Sequence, residues 1–265
     1  MKNLFNDMRP MVIGQRPMVV LLFVLTAFAA KAQIGDYRSD LAIGVNGGYS
    51  LNDMRFLPKV TQKMHHGITF GGTIRYTCEK YFSTVCALQA EFNFNQLGWS
   101  ENIIDYNENP VINETTGLPE EYQRNISYLQ VPLLARLGWG REQKGLQFFI
   151  QAGPQFGYCL GEKTKMNFEL DKRNKMDRVS QLIDQDTMAV QLKFDYGIAV
   201  GAGLEYSHPK VGHFILEARY YYGLGNIYHD SKRDNFGASN HRNIIIKATY
   251  LRDIFRTKKK TNPKS

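Results

Sequence analysis

The chain has 265 residues, a formal charge of +8, 16 phenylalanines, 15 tyrosines, 23 glycines and three cysteines. The excess charge sits at the two ends: Lys2, Arg9, Arg16 and Lys31 against Asp7, and six basic residues from Arg252 onward against Asp253, so residues 33–251 are neutral and the basic balance does not argue for a nucleic-acid groove. Three cysteines are too few for a disulfide scaffold, and no apolar run after residue 32 is long enough for a transmembrane helix.

Residues 1–32 read as an export leader. Lys2, Arg9 and Arg16 form a basic start, Met18–Ala30 is a short apolar run, and Ala30-Lys31-Ala32 is a small-x-small cleavage site before Gln33. The apolar run is too short for a membrane anchor. Eight strand candidates follow: Leu41–Tyr49, Gly67–Thr77, Thr84–Leu97, Ser127–Trp139, Leu146–Tyr158, Phe194–Tyr206, Phe214–Tyr222 and Arg242–Tyr250. The alternation is strictest in the sixth and seventh. Phe194, Tyr196, Ile198, Val200, Ala202, Leu204 and Tyr206 occupy one face, and small or acidic residues occupy the other. Each candidate approaches the ~9–11 residues that a tilted strand needs to cross a bilayer.

Connections around Lys80, Glu142 and Pro209 are short, whereas those at 50–66, 98–126, 159–193 and 223–241 are long. Short turns on one side and long loops on the other mark an outer-membrane barrel with both termini on the short-turn, periplasmic side. The expected fold is all-β, an eight-stranded antiparallel up-and-down transmembrane β-barrel over 33–251. It is preceded by the leader 1–32 and followed by a solvated basic tail, 252–265.

Parity assigns Ile43, Val45, Ile68, Phe70, Ile74, Leu88, Phe92 and Phe94 to the lipid face. Leu129, Val131, Leu133, Leu137, Phe148, Ile150, Phe156, Ile244 and Ile246 complete it. Tyr49, Tyr76, Trp139, Tyr158, Tyr206, Tyr222 and Tyr250 suit the head-group level. The opposite parity turns Arg75, Glu91, Arg136, Glu205, Glu217, Arg219 and Lys247 inward, with Gln130, Gln147, Gln151 and Gln155. Eight strands enclose a space that side chains can fill, so these charges are expected to pair and plug the lumen. Asp195 shares this parity and is expected at a hydrated mouth. Pro132 and Pro154 fall inside strands and are expected to cause local bulges, with Gly153 and Gly157 easing the bend.

Tyr128-Leu129-Gln130-Val131-Pro132-Leu133-Leu134 resembles a strand of the PorT-like outer-membrane β-barrel proteins of Bacteroidetes. Gly153–Tyr158, Gly197–Glu205, Leu216–Leu224 and the last strand, Arg242–Tyr250, are similar too, so the resemblance covers most of 41–251. It implies an eight-stranded outer-membrane barrel, and its named member belongs to the type IX secretion machinery. This chain departs from the pattern by following its last strand with Arg252–Ser265 rather than a terminal aromatic.

No cofactor motif or metal-spaced set is present, and no catalytic residues are assigned. His65 and His66 in the first long loop, with His229 and His241 in the last, could meet Asp53, Asp230 and Asp234 when the barrel closes. Their spacing matches no metal or acid–base motif, so solvated histidines are the expectation. His208 and His213 flank a turn and carry no expected chemistry. Met176, Val179, Leu182 and Ile183 have helical spacing in the long 159–193 connection. The expected partners are outer-membrane lipid and periplasmic or secretion-system proteins, not nucleic acid. The expected role is a structural or binding barrel acting through its loops. The alternatives are a secretion component and a lipid-modifying enzyme.

Overall fold

The computed structural model describes residues 36–142, 144–172, 178–180 and 185–256. The expected leader, the tail after Arg256, and Met176, Leu182 and Ile183 of the expected helix lie outside them. The described strands are β1 (Asp36–Leu57), β2 (Gln62–Lys63), β3 (His65–Tyr81), β4 (Thr84–Glu101) and β5 (Tyr122–Gly140). They continue as β6 (Gly145–Met166), β7 (Phe194–His208), β8 (Gly212–Gly223) and β9 (Ala238–Phe255). Eight long strands pair antiparallel in the order β4-β3-β1-β9-β8-β7-β6-β5, and β5 returns to β4 to close the ring. The two-residue β2 is a ninth strand laid against the outer end of β4. Closure removes both sheet edges, so every wall strand has two hydrogen-bonded neighbours.

The alternation has one physical consequence within the membrane band. Ile43, Val45, Phe70, Phe92, Leu133, Ile150, Val200 and Ile246 stand exposed on the outer wall, while Glu91, Gln130, Arg136, Glu217 and Lys247 are buried inside. A water-soluble fold would reverse that arrangement.

The strands outrun the expected boundaries. β1 and β6 each contain 22 residues, roughly twice what a crossing requires. β1 and β9 also gain residues at the short-turn end, but β1, β4, β5 and β6 rise on the long-loop side beyond the apolar band. There the polarity reverses. On β4 the outer face changes from Phe94 to Gln96, and the inner face changes from Asn95 to Leu97 and Trp99. On β5 the outer face changes from Leu129 to Ser127, and the inner face from Gln130 to Tyr128 and Ile126. These changes occur at one level, because Phe94 pairs with Leu129 and Gln96 with Ser127. Below this level the strand lies between lipid and an ionic lumen; above it, between water and an apolar core.

The prolines do not produce the expected bulges. β4 and β5 keep one register on either side of Pro132, although pairing lapses at Glu91–Phe92 opposite Val131–Pro132. β5 and β6 likewise keep register across a gap at Leu133–Leu134 and Gly153–Pro154. Each ring removes a ladder donor without adding a residue, so the ladder opens locally and the strands do not slip. Gly153 sits in the second gap, where a Cβ would come 2.0 Å from the carbonyl oxygen of Leu133. The recorded register shifts lie elsewhere, including one between Thr77 and Glu79 and one between Ser127 and Tyr128.

The glycines of β7 make room inside the ring. A Cβ on Gly203 would lie 2.4 Å from the Leu216 carbonyl oxygen and 2.6 Å from Cζ of Phe149, a fully buried ring. The variant Gly203→Val is expected to destabilise the barrel by about 1–3 kcal/mol through overpacking. Heat-dependent electrophoretic mobility of the detergent-folded protein will read this as a lower transition temperature.

Candidate functional site

Two ionic clusters cross the lumen. In the first, Glu91 on β4 faces Arg219 on β8 and Lys247 on β9. Arg219 donates through Nη1 and Nη2 to the two Glu91 oxygens at 2.9 and 2.7 Å, and Lys247 Nζ donates to Oε2 at 2.6 Å. Glu217 takes a second Arg219 bond at 2.5 Å and lies 3.2 Å from Lys247. Gln89 and Asn93 donate to the remaining Glu91 lone pairs at 2.7 and 2.8 Å, and Gln151 donates to Glu217 at 3.1 Å. Two carboxylates and two cations make the cluster neutral. A planar guanidinium bonded at both ends suits this site better than a point charge would.

The second cluster lies toward the short turns. Glu205 on β7 accepts from Arg75 at 2.7 Å and from Arg136, whose guanidinium stacks 3.5 Å above the Phe149 ring. His213 Nδ1 is 2.7 Å from Glu205, and its Nε2 is 3.1 Å from Asp253, which ties the end of β9 to the cluster. The structure thus gathers all seven inward charges into two networks, with Arg75, Arg136 and Glu205 in one and Glu91, Glu217, Arg219 and Lys247 in the other. A cavity of ≈ 50 Å³ opens at this mouth among Arg38, Glu142 and Arg256.

One inward residue, Asp195, differs from expectation, and a turn residue, His213, proves to be tied into the lumen network. Asp195 is buried, and one of its oxygens accepts from the Tyr221 hydroxyl at 2.7 Å. β7 begins at Phe194, but the loop after β8 crosses its end, where Leu224 and Gly225 donate to the Tyr196 carbonyl and a Cβ on Gly225 would lie 3.2 Å from an Asp195 oxygen, so Asp195 does not meet bulk water. His213 is also buried and bonded rather than a bystander at a turn. Ser207 Oγ lies 2.9 Å from its Nδ1, so a hydroxyl, an imidazole and a carboxylate stand in series. Ser207 is 1 % exposed and donates to Glu205 at 3.2 Å, which leaves no approach for an acyl substrate.

The loop histidines do not converge. His66 stacks on Tyr49 at the outer wall, His65 is buried beside Ser100, His241 is buried beside the Tyr128 hydroxyl, and His229 is exposed. Among the described residues no group of three His, Cys, Asp or Glu side chains could hold a metal. Cys78, Cys86 and Cys159 are free thiols.

The long-loop side holds a second core that parity reading missed. Met54, Phe56, Val60, Leu97, Trp99, Ile103, Tyr122, Ile126, Tyr228 and Phe236 are buried together above the polarity reversal. Phe56 meets Trp99 edge-on and Phe236 in a tilted contact, both at 5.2 Å between centroids. Arg124 is sandwiched within this core. Its guanidinium stands 5.2 Å from the Trp99 ring and donates to the Tyr228 hydroxyl at 3.1 Å and the Asp186 carbonyl at 3.2 Å. Arg178 reaches in from the 159–193 connection and donates to Glu120 at 2.5 Å, with Glu101 at 3.9 Å. One signal was available in the sequence: Tyr122, Arg124, Ile126 and Tyr128 continue the alternation past Ser127, with Gln123 and Asn125 between them.

The lumen gives a stability test. Glu91→Gln strands Arg219 and Lys247 with one carboxylate and is expected to cost about 3–5 kcal/mol. Adding Lys247→Met should recover more than half. Guanidinium unfolding in detergent, followed through Trp99 and Trp139, measures both.

The cap gives a pH test. Burial raises the Glu101 carboxyl to about 7, with Arg178 opposing the shift and Asp186 adding to it. The folded cap therefore holds a proton that the unfolded chain releases, and cap stability falls as pH rises from about 4.5 to 7. Amide hydrogen exchange around Trp99 should show at least roughly tenfold greater opening at high pH than at low pH. Glu101→Gln should flatten the dependence.

Residues 31–229 match the family model described as "Outer membrane protein beta-barrel domain". No curated protein matches the chain. Solved structures with similarity include the attachment invasion locus protein Ail of Yersinia pestis, at 12% identity over 82% of this chain and 99% of that one, with a TM-score of 0.33. Neisserial surface protein A shows 10% identity over 82% of this chain and 98% of that chain, with a TM-score of 0.40. OprG from Pseudomonas aeruginosa shows 13% identity over 83% and 97%, with a TM-score of 0.36. On the extent of the family match, which takes in seven of the eight wall strands, the chain belongs to the outer membrane protein beta-barrel domain family.

Proposed function

We propose that this outer-membrane barrel is closed to solutes and acts as a structural or binding protein through the surfaces at its two ends. The observation that carries this reading is closure at two levels. The paired charges fill the lumen within the membrane band, and the aromatic core around Phe56, Trp99 and Tyr228 fills the ring above it. In both layers the side chains that face the interior are buried, which supports a closed ring. A catalytic role finds no support in the buried Ser207–His213–Asp253 series or in the scattered histidines.

Residues 1–32 would serve as the export leader. A place in a type IX secretion assembly rests on the PorT-like sequence resemblance. It would engage the short-turn face, where Arg38 and Lys80 both pair with Glu142. Crosslinking and co-purification from native membranes would bring down periplasmic proteins if that face is a contact.

Planar-bilayer recording tests the closed interior. Purified barrel is expected to give no stable unitary conductance. A large, reproducible open channel in the unmodified protein would overturn the proposal.

A further inference from the structure

The polarity reversal fixes the level at which the wall leaves the hydrocarbon, and the wall just above it is not uniform. On the β1–β9 side each outward cation has a side-chain partner. Arg242 pairs with Asp53, and Arg55 donates to the Tyr222 hydroxyl at 2.9 Å. The β2–β4–β5–β6 side is different. Lys63, Ser100, Gln123 and Lys165 are aligned by cross-strand pairing in one row. The row beneath sets Gly98, Asn125 and Lys163 side by side. All three lysines are exposed, and none makes an ion pair with a described residue.

Their outward aim comes from one irregularity. The register of β5 and β6 shifts between Ser127 and Tyr128, where Gly161 and Cys159 face successive residues and Leu160 is the extra one. Before the shift the even residues of β6 face lipid, as Phe156 and Tyr158 do; after it Gly161, Lys163 and Lys165 pair with Ser127, Asn125 and Gln123 on the outer face of β5. Without that extra residue Lys163 and Lys165 would share a face with Arg124 and Tyr122 instead. Leu160, 57 % exposed, is the last apolar contact below them. At about 3.3 Å per residue Lys163 stands roughly 10 Å further along a tilted strand, which is head-group depth. Lysine stems can lie along the wall while the ammonium reaches phosphate.

We propose that this wall is a binding site for the phosphorylated sugar head group of an outer-leaflet glycolipid. Lys63, Lys163 and Lys165 contact its phosphates, and Gln123 and Asn125 contact its hydroxyls. A pocket of ≈ 330 Å³ opens beside the upper row, lined by Lys63, Gln123 and Lys165 and also by Glu101 and Glu121. The exposed Glu121 carboxylate disfavours a bare anion and suits sugar hydroxyls. The apolar band directly below supplies the place for acyl chains. The inference rests on the barrel's place in the outer membrane and is independent of whether the lumen conducts.

The test uses the full barrel in detergent, with bisphosphorylated hexa-acyl lipid A as probe and native mass spectrometry as readout. Wild type is expected to retain the lipid. Lys63→Gln/Lys163→Gln/Lys165→Gln should weaken retention by about fivefold per lysine and roughly a hundredfold in all. Lys210→Gln, at a turn on the opposite side, should change nothing. Wild type should retain fully dephosphorylated lipid poorly. Should the triple variant fail to fold, high salt applied to wild type provides the same reading, because a screened contact releases the lipid. Equal retention by the triple variant, equal retention of dephosphorylated lipid, or insensitivity to salt would each overturn the proposal. So would displacement of the lipid by millimolar inorganic phosphate, which would make this a site for free anion.

Discussion

An ionised side chain inside a closed ring of eight strands has no bulk water to turn to. It must find an opposite charge across the lumen or not be there. Glu91 illustrates how complete the answer is, because Arg219, Lys247, Gln89 and Asn93 together occupy its acceptor positions. The demand reaches the backbone as well. Gly201 and Gly203 lie opposite Arg219 and Glu217; a Cβ on Gly201 would crowd the base of the Arg219 side chain at 3.4 Å, and one on Gly203 would enter the space of the Phe149 ring. The small face of β7 is thus the complement of the large, charged face of β8.

The second organising fact is that the medium changes along each strand while the strand does not. Hydrophobic burial favours whichever face is away from water. Within the bilayer the outer face is already dry, and the inside can be ionic. Above the bilayer the outer face is wet, so the dry side has to be inside. β5 records the change in one run: Leu133, Val131 and Leu129 point outward, and Ile126 and Tyr122 point inward. The cap is therefore a small water-soluble core built on the extensions of membrane strands. Arg124 survives in it because Glu162, 3.3 Å away, balances its charge and aromatic faces and carbonyl oxygens surround it.

This explains what could be read from the residues alone. The wall strands, their order and their inward charges were legible because period-two alternation is strong where one face meets lipid. Strand ends were not, because reading stopped where the expected parity failed. Parity fails at Ser127 and Gln96 because the surroundings invert, not because the strand stops. The pairing partners of each charge were also hidden. Parity places Arg75 and Arg219 on the same face but does not say that one meets Glu205 and the other Glu91. That depends on stagger around the ring. Asp195 was misjudged because its exposure is decided by a loop, residues 224–237, that carries no periodicity. The prolines misled for a simpler reason: a missing donor opens a ladder, and only an extra residue shifts it.

The same network constrains how the fold forms. Glu91 is 128 residues from Arg219 and 156 from Lys247, and Arg75 is 130 from Glu205. The β8–β9 hairpin brings Glu217 to both Arg219 and Lys247, but Glu91 and Arg75 find their partners only across the ring. A partly assembled sheet in lipid would hold Glu91 on β4 with its cations still on unplaced β8 and β9. Such a state is strongly disfavoured in hydrocarbon, since an unpaired charge there is among the costliest arrangements a chain can adopt. Insertion and closure must therefore proceed together, with the polar face turned toward water or toward itself until β9 meets β1. The ionic lumen fills the finished barrel and also disfavours every open intermediate in the membrane, which gives the closed ring its uniqueness.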